Sequence, residues 1–131
     1  MSDMILPVVS DDGTVKPTSY LMRLSEMSTE AAARLGRRMD LAPQYAAMLE
    51  AAGFVDITVR RFKWPSNVWP RDKKHKEMGR WNFVNMNDGL EGLSMALLTR
   101  ALGLSREETE EICAGARKEI LDVRIHAYLT L

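Results

Sequence analysis

Spaced at helical intervals along one predicted helix, Arg71, His75, Met78, Asn82, Asn85, Gly89 and Gly92 form a stripe carrying charge, an imidazole and two amides. Beside it runs a second stripe, Phe83, Met86, Leu90, Leu93 and Leu97, which reads as a core face. Polar side chains at the margin of a core need partners. They find them within the fold, or they line a pocket and satisfy a ligand. Trp69 and Trp81 could wall such a pocket, and Met78, Met86 and Met95 would give it adaptable surface. The nine methionines suit an adaptable pocket and a plastic core equally. His75 is the first choice as a proton carrier, because an unperturbed imidazole titrates near neutrality. The plainer alternatives are an exposed helix histidine among lysines for His75, and a hydrogen-bonded strand residue for His126.

No standard catalytic signature accompanies this stripe. The sequence has no Gly-x-Gly pair, hence neither a dinucleotide fingerprint nor a P-loop. The two histidines sit in no metal-ligand pattern, and the lone Cys113 cannot form an internal disulfide. Arg60, Arg61, Lys63, Arg71, Lys73, Lys74, Lys76 and Arg80, interleaved with Phe62, Trp64 and Trp69, have the composition of a single-strand nucleic-acid groove. A solvated surface is the stronger reading, since the 18 basic and 18 acidic residues cancel and argue against a nucleic-acid partner. No stretch approaches the ~18 apolar residues of a membrane span, and no leader pattern opens the chain. A cytoplasmic or nuclear, reducing compartment is expected.

The positioning elements follow from local signals. The 131 residues fit one domain. Residues 1–16 read as an N-terminal arm, with a frayed or edge strand before the turn Ser10-Asp11-Asp12-Gly13-Thr14. Residues 17–52 read as helices: 18–27, then 30–38 capped by Ser28 or Thr29, then 41–52 capped by Asp40 and stopped by Gly53. The β-branched and aromatic segment 54–64 is the best strand. Residues 71–121 read as helices, the first kinked or split near Gly89 and ended by Gly103, the second opened by the capping box Ser105-Arg106-Glu107-Glu108. Residues 124–131 read as a closing strand. The expected fold is α+β and mostly helical, with helices packed on a short antiparallel strand pair.

Five collinear segments make the sequence recognisable. They are Ser-Asp-Asp-Gly-Thr (10–14), Ala-Gly-Phe-Val-Asp (52–56), Trp-Pro-Arg-Asp-Lys-Lys-His-Lys-Glu-Met-Gly-Arg-Trp (69–81), Asp-Gly-Leu-Glu-Gly-Leu-Ser-Met-Ala-Leu-Leu-Thr-Arg (88–100) and Ile-His-Ala-Tyr (125–128). In this order they resemble the fungal S-adenosylmethionine-dependent methyltransferases of secondary metabolism, the LaeA-like enzymes. The resemblance covers nearly all of this chain but only the C-terminal part of the family's domain, and family members usually continue beyond Leu131. It implies a truncated class I methyltransferase-like domain that keeps the substrate-covering helices and the last strands. The Gly-rich loop and acidic residue that hold the cofactor in the family have no counterpart here. Such a polar cofactor needs backbone donors and a carboxylate at close quarters. No cofactor is therefore expected on this chain.

The resulting expectation is a non-methylating, cofactor-independent enzyme of cyclase or isomerase type, acting on a small apolar intermediate of fungal secondary metabolism. His75, Asp72, Lys76, Asn82, Asn85 and His126 are its candidate acid, base or donor groups, and Trp69, Met78, Trp81 and Met86 its candidate substrate-binding residues. The alternatives are a substrate-binding or regulatory partner of another pathway protein, and a methyltransferase half that needs a second chain for its cofactor. Open strand edges favour a homodimer, including one with exchanged strands or helices.

Overall fold

In the computed structural model, which describes residues 2–131, four helices and one three-stranded antiparallel sheet form a mostly helical α+β structure. Three strands, β1 (Ile5–Val9), β2 (Lys63–Pro65) and β3 (Tyr128–Thr130), pair in the order β1-β3-β2. The predicted pair thus gains a third member, because the N-terminal arm supplies an edge strand. Pro7 has no amide to donate, which an edge tolerates, and the register shifts between Ile5 and Val9. On the other side Lys63, Trp64 and Pro65 face Thr130, Leu129 and Tyr128.

The strand predicted over 54–64 is mostly not a strand. Phe62 and Leu131 exchange backbone bonds of 2.8 and 2.9 Å, and pairing stops there. Residues 54–61 carry strand-forming side chains but no neighbouring strand, and unpaired strands are not stable on propensity alone. They form a loop that exposes Phe54, Val55, Val59 and, at its end, Phe62.

The first helix, α1 (Tyr20–Arg34), runs unbroken through the predicted cap at Ser28 and Thr29. The Thr29 hydroxyl donates to the Ser25 carbonyl, one turn back, rather than capping a new helix. Leu21, Leu24, Ser25, Ala31 and Ala32 form one buried stripe across the expected break. Ser19 caps α1, and both carboxylate oxygens of Glu119 accept its free amides, from Tyr20 at 3.0 Å and Leu21 at 2.7 Å. The helix predicted over 41–52 is a 3-10 turn, Ala42–Gln44, leading into α2 (Tyr45–Ala51).

The long helix, α3 (Lys73–Leu102), shows no split at Gly89. A single glycine costs about 1 kcal/mol in a helix, and packing against α1, β2 and α4 (Arg106–Leu121) outweighs it. Gly79 has a positive reason to be glycine: a Cβ there would lie 2.0 Å from the Asn67 carbonyl oxygen. Gly115 of α4 is alike, its missing Cβ falling on the ring of Tyr20. Gly103 ends α3 at φ 72°, and Ser105 and Glu108 form the predicted capping box. Leu98, Ile112, Ala116 and Ile120 join Leu24, Ala127 and Leu129 in the core.

Candidate functional site: an apolar groove on α3

Between α1, α3 and β1 lies a groove of about 260 Å³. One wall is a face of α3: Asn82, Asn85, Met86, Gly89, Leu90, Leu93, Ser94 and Leu97. This spacing merges the C-terminal part of the polar stripe with the apolar stripe beside it. The facing wall is Leu21, Leu24, Ser25 and Ser28 of α1, with Met4, Leu6 and Val8 along one edge, Met39 at the rim, and Leu129 of β3. No ionisable side chain lines it.

Asn82 is the distinctive group in this wall. It is 5% exposed. Its Nδ2 donates to the Pro65 carbonyl at 2.9 Å and reaches the Trp64 carbonyl at 3.4 Å. Carbonyls only accept, so these contacts fix the amide's orientation and turn Oδ1 away from β2. That oxygen is buried and has no donor. Across the groove Ser25 is also buried, its Oγ accepting from the Val8 amide at 2.9 Å.

Of the other predicted catalytic groups, Asp72, His75, Lys76 and His126 are not at the groove. Asp72 caps α3, accepting from the His75 amide at 2.8 Å, and its carboxylate meets His75 Nδ1 at 2.6 Å. The donated His75 amide, then the imidazole, holds the Asp72 carboxyl below the usual carboxylate value. Both side chains stand in solvent, about half exposed, and Lys76 is exposed beside them. Asn85 and Met86 do line the groove. Met78 is half-buried outside it, and Trp81, 69% exposed, walls nothing.

Trp69 and His126 belong to a second cluster, where the segments at 10–14, 69 and 125–128 converge. The rings of Trp69 and His126 stack at 4.9 Å, and Trp69 Nε1 donates to the Ala127 carbonyl at 2.9 Å. His126 Nδ1 lies 2.6 Å from Asp12, whose carboxylate also accepts the Thr14 hydroxyl and amide. The Thr14 hydroxyl bond, then that of His126, lowers the Asp12 pKa to about 2. Thr14 Oγ1 in turn accepts the His126 amide at 2.8 Å. Tyr128 donates to Asp11 at 2.7 Å, Lys63 pairs with the same carboxylate, and its ammonium lies 4.6 Å from the centre of the Tyr128 ring. The cluster clasps the turn at 10–14 onto β3. His126 lies just before β3, part-exposed and hydrogen-bonded in this clasp, rather than on a strand in the core.

Sequence reasoning missed Ser25, Ser28 and the apolar residues of β1 as parts of the groove. They are distant in sequence from α3, and no local signal joins them to it.

A probable methyltransferase, tdiE, of Emericella nidulans is 31% identical over 128 residues, covering 98% of this chain and 40% of that protein. The methyltransferase pytC of Aspergillus terreus is 35% identical over 127 residues, or 97% of this chain and 39% of the relative. The secondary metabolism regulator laeA of Fusarium oxysporum is 31% identical over 122 residues, 92% of this chain and 39% of the relative. The chain is homologous to the C-terminal 40% or so of these fungal proteins. It spans about 40% of the length of these curated relatives. No family model and no solved structure matches it. No helix among the described residues is long and apolar enough to cross a membrane.

Proposed function

We propose that this chain holds a small apolar molecule of fungal secondary metabolism in the groove between α1, α3 and β1. The observation that carries this reading is the lining: an apolar concavity of about 260 Å³ with a few polar atoms and no charge. A cavity of about 150 Å³ can accept benzene, so this one admits two fused rings. Relatives named as methyltransferases and secondary-metabolism regulators support the biological setting. The uncharged lining does not suit the sulfonium and carboxylate of adenosylmethionine. Methyl transfer to a molecule held here would need a cofactor site built by other residues, such as those of a second chain. Cofactor-free cyclisation or isomerisation would have to work by confinement, because His75, Asp72 and Lys76 are absent from the lining.

Titration with naphthalene, followed by backbone amide shifts, tests the reading. Saturable changes at Leu24, Ser25, Asn82, Met86 and Leu90 are expected. Changes elsewhere only would sink it.

The exposed segment at 54–62 favours a second reading for that face, as a docking surface. We propose a second copy of the chain as its cover. Sedimentation should show a dimer at micromolar concentration that Val55→Lys and Val59→Lys together dissociate. A wild-type monomer would remove the proposal.

A further inference from the structure

We propose that the groove selects a ligand carrying a hydroxyl group on an apolar frame, an alcohol or a phenol, read by Asn82 Oδ1 and Ser25 Oγ. This rests on the small-molecule reading above and goes beyond it to the ligand's chemistry. Asn82 Oδ1 is an acceptor with no donor, in a residue 5% exposed on the groove wall. Almost all buried polar atoms in native proteins are paired, and the amide cannot flip to repair this one, because Nδ2 is held by the Pro65 carbonyl at 2.9 Å. Ser25, 6% exposed on the opposite wall, accepts from Val8, while its own hydroxyl hydrogen has no acceptor among the described residues. One wall therefore lacks a donor and the other lacks an acceptor. A hydroxyl group is both at once.

Oδ1 is also closed to solvent, so water does not supply the missing donor. Met86 follows Asn82 at i+4 on the same wall. Helical side chains lean towards the N-terminus, which directs this flexible thioether chain towards the turn that carries Asn82. A methionine yields at small cost. An apolar ring displacing Met86 keeps the contacts of the groove and brings its hydroxyl to the amide.

Calorimetric titration with naphthol and with methylnaphthalene, a near-isosteric pair, tests this. On hydrophobic transfer alone the methyl compound binds tighter. Wild type should instead bind naphthol roughly tenfold tighter, the worth of a hydrogen bond to a buried partner. Asn82→Leu and Ser25→Ala, each checked for a cooperative melt, should restore the preference for methylnaphthalene. Should Asn82→Leu fail to fold, the wild-type pair and Ser25→Ala still decide. Tighter methylnaphthalene binding by wild type overturns the hydroxyl proposal and leaves the groove reading standing. A naphthol preference that survives in both folded variants also overturns it. Binding of neither compound overturns both.

Discussion

At the N-terminal end of α3, Asp72 and His75 answer each other in open solvent, while further along the same helix Asn82 carries a buried oxygen that nothing answers. The first place has the residue types usually associated with catalysis, a carboxylate, an imidazole and the Lys76 amine. The second has amides, methionines and leucines. The difference teaches that residue type is a poor guide without burial. In water a carboxylate capping a helix is a local structural device, satisfied by the helix's own free amides. In an apolar wall an unpaired amide oxygen forgoes a hydrogen bond and remains available to a ligand.

The largest test of the contrast along α3 uses its glycines. Gly79→Ala forces a Cβ onto the backbone oxygen of Asn67, which cannot swing aside. A loss of about 3 kcal/mol, or failure to fold, is expected in denaturant melts. Retained stability would mean that α3 is not anchored over the end of β2 and the bend that follows it at Asn67. Next comes the amide. Asn82→Ala strands the Pro65 carbonyl and should cost about 2 kcal/mol, while Asn85→Ala, on the exposed rim, should stay within about 0.5 kcal/mol.

Acid should separate the clasp from the groove. Asp12 has its pKa lowered from 3.8 to about 2, chiefly by the Thr14 hydroxyl and then by His126. A lowered carboxylate contributes stability that is present above pH 3.8 and lost as the pH falls through about 2. Asp12→Asn should make the melting temperature less steep against pH in that window, the remaining slope coming from other lowered carboxylates such as Asp11 and Asp122. An unchanged profile would show that the clasp is not held by this charge.

Smaller still, Gly89→Ala should raise stability by about 0.5–1 kcal/mol, since its Cβ would touch only the Leu93 side chain, at 3.6 Å. A large loss would reveal a need for the glycine that the packing does not show. The smallest effect belongs to His75→Ala, within about 0.5 kcal/mol in stability and with naphthalene binding unchanged. Loss of that binding would bring the solvent end of α3 back into the site and break the comparison.

Much of the fold was legible because its signals are local. The capping box at Ser105 and Glu108, the Gly103 stop and the Asp-Gly turn each involve residues a few positions apart. The errors occurred where a distant contact decided. Ser28 and Thr29 have the chemistry of a helix cap, yet the buried stripe from Leu21 to Ala32 carried α1 through them. The segment at 54–61 has strand composition, yet no strand lies beside it. The site was half legible: Asn82, Asn85 and Met86 were read from helical spacing, whereas Ser25 and the β1 residues were not.

What the sequence determined by itself is the set of helices and caps, the apolar stripes of α3 and the kinship with fungal methyltransferases and regulators. These depend on periodicity and on ordered motifs, which the linear chain carries. Only the tertiary structure decided which polar residues are left unanswered. Asn82 and Asp72 are both polar side chains on or at the end of one helix. Packing against β2 and α1 buries the first and leaves the second in water, and burial, not residue type, sets the cost of lacking a partner.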